Sequence, residues 1–514
     1  MKLVKQIVTL VFFVAFFSSF AADAEEPYIL TPPAPVQPHL NGPKVYGVRP
    51  GSPFLYRIPC TGVRPLTFAG SNLPEGTFLD EKSGIITGRV IKAGSYLATL
   101  TAKNSYGNDT REFHIIVGDT LALTPPMGWN SWYIHYDRVS DATMRKAADD
   151  MISSGMADFG YQYVNIDDCW AKKQGDEPYR DAQGAVLANA KFPDMKGLTD
   201  YIHRKGLKAG IYTSPGPWTC GGYVGAYQHE AQDAGRFTEW GFDFLKYDWC
   251  SYGQTNDRRF WPKASERKKY AIDFLKLPYF MMGGILKQQP RDIVFNLCQY
   301  GMGEVWTWAS GAGNSWRTTD DLGLEAGSTL PGFYKVAFSN AEHAEFAHPG
   351  AWNDPDYILL GWVGDARGMG AGKQTILTPS EQYSYMSLWS LMAAPLIFGG
   401  DMEKLDPFTV NVLCNSEVID VDQDSLGKQA KVVRHSTADF VLVKDLNDGS
   451  KAVGIFNLGE QPQTLSVSWP DLGVSGTQRV RDMWRQKDIG LLGNEFHADV
   501  RPHGVELVRL WPVR

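Results

Sequence analysis

The hydrophobic pattern changes texture twice along the 514 residues. Between about residues 49 and 117, apolar and polar positions alternate in short runs broken by turn signals: PLTFAG, LPEGTFLDEKSGIITG, GSYLATLTAKNSYGND and TREFHIIV. A period of two sends successive side chains to opposite faces, so YLATLTA predicts a half-buried strand and NSYGND a hairpin connection. Beyond GDTLALTPPMGWNSW the short apolar runs YQYVNIDD, LKAGIY, FDFLKYD, DIVFNL and APLIFGG predict buried strands. Between them ATMRKAADDMISSG, MKGLTDYIHRKG, AQDAGRFTEWG and SERKKYAIDFLKL carry helical periodicity. Alternation of this kind over about 300 residues fits a (β/α)8 TIM barrel in length and connection style. A doubly wound sheet is the alternative, but no strand leads into the glycine pattern of a dinucleotide site. RGMGAGKQT at 367–375 lacks the spacing of a phosphate loop and predicts a flexible loop. After Val421-Asp422-Gln423-Asp424 short strands return in QAKVVRHS, FVLVKDL, KAVGIFNLG, QTLSVSWP and GVELVRLWPV, predicting a small antiparallel sandwich.

The expected fold is therefore multidomain: a central (β/α)8 TIM barrel over 119–424, an extended segment and β-sandwich over 25–118, and a C-terminal antiparallel β-sandwich over 425–514. The first β region resembles a bacterial immunoglobulin-like module through Leu73-Pro74, Leu79-Asp80, Thr87-Gly88 and the Ala102–Gly107 turn. That resemblance implies a fold, with a spacer or packing role as the plainer reading and sugar binding as the other. Lys2 and Lys5, the apolar stretch from Ile7 to Phe17 and small residues around Ala21–Ala24 predict a secretory signal peptide over 1–24. The expected product is exported, periplasmic or extracellular, without stable membrane insertion. A net charge of -7 and the lack of a Lys/Arg stripe argue against nucleic acid. Six cysteines, with no CxxC pair, make structural zinc a poor fit. No metal or other cofactor is expected, and oligomeric state is left open.

Candidate chemistry comes from where the acids fall. Asp167-Asp168 close YVNIDD, Asp248 closes FLKYD, Asp320-Asp321 follow SWRTT, and Asp354 and Asp356 sit in GAWNDPD. One aspartate at a strand end is most simply a cap. In a parallel barrel, however, all strand ends converge on one face, and several acids there can share a substrate. Lys246 lies two positions before Asp248 and so shares its face; it either pairs locally or supports Asp248 and a ligand hydroxyl. Arg317, four residues before Asp321, offers a rigid donor fork. Trp132, Trp170, Trp218, Tyr212, Trp249 and Trp316 neighbour these groups and either pack in the core or offer faces to a sugar ring. Ten scattered histidines include no HExxH, so paired carboxylates favour glycoside hydrolysis.

Taken in order, MGWNSW, YVNIDDCW, KAGIY, FDFLKYDWC, GNSWRTTDD and GAWNDPD resemble the retaining α-galactosidases and α-N-acetylgalactosaminidases of glycoside hydrolase family 27. The resemblance implies that Asp248 is the nucleophile and Asp321 the general acid/base, with Asp320 the tempting neighbour. It implies substrate contacts from Trp132, Asp167, Asp168, Tyr212, Lys246, Arg317 and Asp356, and a Cys220–Cys250 disulfide. The expected partner is an α-galactoside-bearing oligosaccharide or polysaccharide, cleaved from its end with retention of configuration. One departure bears on specificity: NLCQY puts Gln299 where relatives have a glutamate holding the sugar 2-hydroxyl. Gln299 is not small, which disfavours an N-acetyl group, and the retained Asp167-Asp168 pair disfavours β-L-arabinopyranose. A non-catalytic carbohydrate-binding protein is the reading of a different class.

Overall fold

The structure is a computed structural model that describes residues 28–255, 271–322, 330–364 and 372–513. The predicted leader lies outside the described residues, as does most of the 367–375 stretch. Lys373–Gln374 of that stretch pairs antiparallel with Trp362–Val363, so this end is a short ribbon rather than a free loop.

Eight parallel strands form the central sheet: β1 Met127–Asn130, β2 Tyr163–Asn165, β3 Lys208–Thr213, β4 Phe244–Asp248, β5 Val294–Cys298, β6 Ser315–Arg317, β7 Trp352–Asp354 and β8 Leu396–Phe398. They pair in the order β7-β6-β5-β4-β3-β2-β1-β8. The sheet curls until Ile358, just beyond β7, bridges in parallel to Phe398 of β8. The predicted barrel strands are all present. Helices α1 Asp141–Ser153, α2 Met195–Arg204, α3 Glu230–Trp240, α4 Ala271–Lys287, α5 Gly332–Ala341 and α6 Pro379–Leu391 lie along the chain between them. The helical pattern quoted for α4 ends at Leu277, before Pro278, yet the helix runs on to Lys287. A proline costs a helix one hydrogen bond and some strain; burial of Tyr279, Met282 and Leu286 against the sheet offsets it.

Alternation within each strand divides the barrel into layers. Leu245 and Tyr247 of β4, Phe295 and Leu297 of β5 and Trp316 of β6 belong to the large core between sheet and helices. Their neighbours point inward. At the strand starts Tyr163, Phe244 and Val294 form a separate small apolar cluster with Leu121. Above it come polar residues, including Lys246, Asn296 and Ser315, and at the strand ends Asp248, Cys298 and Arg317, all buried.

The immunoglobulin-like module comprises a four-stranded and a three-stranded sheet around its own core. Strands Gly94–Asn104 and Gly107–Val117 meet at the predicted hairpin. The module caps the strand-start end of the barrel. The Lys208 ammonium donates to the Tyr46 hydroxyl at 2.9 Å. Arg49 donates to Asp292 at 2.6 Å and to the carbonyls of Lys287, Gln289 and Arg291, while Ser52 donates to the same carboxylate at 2.8 Å. The C-terminal region has a six-stranded antiparallel sheet and a two-stranded one. It docks on α6, where Trp484 Nε1 donates to Ser387 at 2.9 Å and Ser384 to the His503 carbonyl at 2.7 Å. Tyr28, at the start of the described chain, packs with its ring tilted against Tyr383 of the same helix, centroids 5.6 Å apart.

Because Arg49 and Asp292 are largely buried and multiply bonded, Arg49→Ala should destabilise the module–barrel junction by roughly 2–3 kcal/mol. Arg64→Ala, which removes a half-exposed partner of Asp158, should cost under about 1 kcal/mol. Thermal or denaturant unfolding compares the two; equal losses would show that the Arg49 cluster does not hold the junction.

Candidate active site

The inward side chains at the strand ends meet as a connected polar network. Asp248, the last residue of β4, is 5% exposed. Tyr212 of β3 donates to its Oδ2 at 2.8 Å, and Tyr300, just past β5, donates to its Oδ1 at 2.6 Å. Lys246, on the same face, donates to Asp167 Oδ2 at 2.9 Å. That oxygen also accepts from Asn130 at 2.9 Å and from the Tyr357 hydroxyl at 3.1 Å. Lys246 is thus locally paired, and its charge still reaches Asp248. Burial pushes the Asp248 carboxyl above the ordinary carboxylate range; Lys246 and the two phenols pull it back, while Asp321 adds to the rise.

Asp168 is reached from a different element. Its Oδ2 accepts from the Gly221 amide at 2.7 Å and its Oδ1 from the Cys169 amide at 2.7 Å. A Cβ on residue 221 would lie 3.0 Å from that carboxylate oxygen, so glycine permits the close approach. Burial lifts Asp168 to about 7 against these hydrogen bonds. Arg317 forms the other wall: it lies 3.0 Å from Asp356 and 3.2 Å from Asp321. Asp356 is buried, whereas the Asp321 side chain is 63% exposed. Asp320 is exposed, and only its carbonyl is drawn into the site, accepting from Arg317 at 2.7 Å.

The chain reverses sharply after these strands. Cys169, Cys250, Tyr300 and Asp356 all have φ between 32° and 85°, a region costly for side chains other than glycine. Two of the four, Tyr300 and Asp356, use the turn to bring a polar group onto the network. Cys250 is bonded to Cys220, tying the loop after β4 to the loop after β3. The sulfurs flank Asp248, but as a disulfide they cannot act as thiolate ligands.

Residues 124–424 match the family model "Alpha galactosidase A", 440–510 match "Alpha galactosidase C-terminal beta sandwich domain" and 37–118 match "Putative Ig domain". The first match alone spans more than half of the chain. The chain belongs to the α-galactosidase family, glycoside hydrolase family 27. It is similar to alpha-galactosidase 2 of Arabidopsis thaliana, at 35% identity over 417 residues, 80% of this chain and 96% of that protein. Alpha-galactosidase A of Cellvibrio japonicus is 36% identical over 415 residues, covering 77% of this chain and 93% of its own length. A solved structure, a "putative alpha-galactosidase" from Bacteroides fragilis NCTC 9343, matches with a TM-score of 0.82 at 34% identity, covering 93% of this chain and 98% of that one. The similarity therefore extends across all three regions, and the chain is a glycoside hydrolase of the α-galactosidase type.

The family's candidate residues are distributed unequally. Asp248, Tyr212, Lys246 and Asp167 are linked by direct bonds or charge, Arg317 joins Asp321 to Asp356, and Asp168 lines the Cys220 side. Trp132 is half-buried on the turn after β1, its amide held by Asn130 at 2.9 Å. Three of the other tryptophans face away. Trp170 packs with Phe237 and Trp240, Trp316 lies in the helix-facing core, and Trp249 packs against Tyr252, Phe274 and Tyr279 behind Asp248. Trp249 therefore does not narrow the mouth. Gln299 is fully buried, and both of its amide atoms lack a hydrogen-bond partner. Sequence reading missed Tyr300, Tyr357 and Asn130. Tyr300 stood inside the quoted NLCQY stretch, but its left-handed turn carries no sequence signal when the residue is not glycine.

Removing the Tyr300 hydroxyl takes away a bond that favours ionised Asp248. Tyr300→Phe should move the acid limb of the kcat/KM profile to higher pH and lower its plateau about 10–100-fold. An unchanged limb, read with an aryl α-galactoside, would show that this phenol does not act on Asp248.

Proposed function

We propose that the chain hydrolyses terminal α-D-galactosyl residues by double displacement, with Asp248 as nucleophile and Asp321 as general acid/base. The observation that carries this reading is a buried, doubly hydrogen-bonded Asp248 within electrostatic reach of an exposed Asp321, which Arg317 holds. Each Asp248 oxygen keeps a lone pair beyond its phenol. One attacks the anomeric carbon as the glycosidic C–O bond breaks, and Asp321 delivers its proton to the departing oxygen. Asp248 is then an ester and carries no charge. Water next attacks the same carbon, Asp321 takes the proton, and the ester C–O bond breaks to return Asp248 as a carboxylate. Two inversions leave the sugar in its original configuration.

Galactose hydroxyls are held by Asp168, by the remaining capacity of Asp167, and by Lys246, Arg317 and Asp356, with Trp132 against an apolar ring face. Gln299 receives the 2-hydroxyl. Its orphaned amide supports that role, because a buried amide without partners is costly unless a ligand supplies them. Export through the 1–24 leader agrees with the Cys220–Cys250 disulfide, which suits an oxidising compartment. Among the described residues no helix is long and apolar enough to cross a membrane.

Azide separates the two carboxylate roles. Asp248→Gly with azide should give β-galactosyl azide by a single inversion, and Asp321→Ala with azide should give the α-anomer from the accumulated intermediate. Without azide, Asp248→Gly should lose more than about 10³-fold in kcat. The same anomer from both variants would overturn the assignment. For Gln299, the preference for an α-galactoside over its 2-deoxy analogue should shrink in Gln299→Ala. An unchanged ratio would remove Gln299 from the 2-hydroxyl.

A further inference from the structure

Asp321, the proposed acid/base, is weakly held by its own side chain. That side chain is 63% exposed, and among the described residues its one charged partner is Arg317, at 3.2 Å. A solvated carboxylate with a single contact of this kind gains little from it, so where it points depends on where its backbone is fixed. The backbone is pinned on both sides. Before Asp321, Arg317 donates to the Thr319 carbonyl at 3.3 Å and to the Asp320 carbonyl at 2.7 Å. After it, both backbone groups of Leu322 are taken. The amide donates to Asp356 Oδ2 at 2.8 Å, and the carbonyl accepts from the Tyr133 hydroxyl at 2.6 Å. Leu322 is buried, and no other donor among the described residues reaches that carbonyl.

Tyr133 reaches this loop from 189 residues away. It follows Trp132 in MGWNSWY, within the single helical turn Trp132–His135 beyond β1. Successive residues of such a turn point about 100° apart. Trp132 therefore stays half-buried, while Tyr133 is 3% exposed. The Tyr133 ring meets Tyr357 edge to face with centroids 5.9 Å apart. A Cβ on residue 364 would lie 2.1 Å from the Tyr133 carbonyl oxygen, so Gly364 lets the chain after β7 press against this turn. The hydroxyl has one proton to give, and its shorter contact is to the Leu322 carbonyl. Asp356 Oδ2, 3.0 Å from the hydroxyl, already has the Leu322 amide and Arg317.

We propose that Tyr133 is a positioning residue for acid catalysis: its hydroxyl clamps the Leu322 carbonyl and thereby sets the reach of Asp321 toward the departing oxygen. Removing the hydroxyl leaves a buried carbonyl unpaired and releases one anchor of the loop. Asp356 keeps the Leu322 amide and Arg317. This role rests on the acid/base reading of Asp321 given above and adds the group that places it.

The test is leaving-group dependence. Two aryl α-galactosides are compared, one releasing a weakly acidic phenol that must be protonated as it departs, the other a dinitrophenol that leaves as an anion unaided. In Tyr133→Phe, kcat/KM on the first should fall about 10–50-fold and on the second under about 3-fold. The ratio of the two cancels any loss of folded protein. Any weakening of galactose binding through Asp356 falls on both substrates alike. Equal losses on the two substrates, or none on either, overturn the clamp. A second background reads the coupling: on top of Asp321→Ala, Tyr133→Phe should change the ratio under about 2-fold. A ratio that still falls about 10-fold there shows that the hydroxyl acts on something other than Asp321, and the clamp is overturned. If Asp321→Ala alone leaves the ratio unchanged, the acid/base reading fails and the clamp with it. A ratio that answers to Asp321→Ala but not to Tyr133→Phe overturns the clamp alone.

Discussion

Keeping a carboxylate charged where water is largely excluded is the constraint around which the barrel mouth is built. Burial alone favours the protonated form of Asp248, which could not serve as the proposed nucleophile. The compensation comes from three strands: Lys246 shares its face on β4, Tyr212 arrives from β3, and Tyr300 swings in after β5. Each compensating group needs support in turn. Lys246 is fixed by Asp167, which collects Asn130 and Tyr357. On the other wall Arg317 is braced by Asp356, whose Oδ2 also takes the Leu322 amide. Several acceptors in the network are shared by more than one donor, so it fixes geometry as well as charge.

A barrel filled with polar side chains at one end must be closed at the other. Tyr163, Phe244, Val294 and Leu121 supply a thin apolar plug. Below it the immunoglobulin-like module covers the strand starts and meets Lys208 and Asp292. This position separates the two roles open to the module from sequence. It packs on the face opposite the strand ends, where it seals the barrel, so any sugar it met would be remote from Asp248. The C-terminal sheets act on the flank, through α6, and leave the mouth open.

Strand ends were the most legible feature of the chain, because a short apolar run stopping at an acid is both a secondary-structure and a chemical signal. The barrel, its flanking sandwiches and the converging acids follow from that pattern; the paired roles of the residues came from family motifs. What stayed hidden has definite causes. α6 is buried on nearly every side, so it shows no polar stripe to mark its period. Parity explains one of the misplaced tryptophans: on an extended chain Trp316 must face away from Arg317, so adjacency in sequence is separation in space. Trp249 follows the end of β4 in helical backbone and packs behind it. Trp170 lies beyond the strand, where parity gives no guidance, and Tyr300 depends on a left-handed turn that its residue type does not announce.

The site also works against the fold. Asp168, Asp248 and Asp356 are all raised by burial, so the folded chain holds these protons more tightly than the unfolded chain does. For such groups the linkage runs in one direction. Their favourable contribution is present below the ordinary carboxylate range and is lost as pH climbs toward the raised value, about 7 for Asp168. On the proposed reading a sugar would reverse part of this loss, its hydroxyls donating to the ionised oxygens. Gln299 obeys the same logic without a charge, its amide buried and without a hydrogen-bond partner in the protein. The mouth is thus a set of acceptors and donors held in place by a rigid scaffold, and on the proposed reading a sugar's hydroxyl pattern would be recognised by how well it matches them.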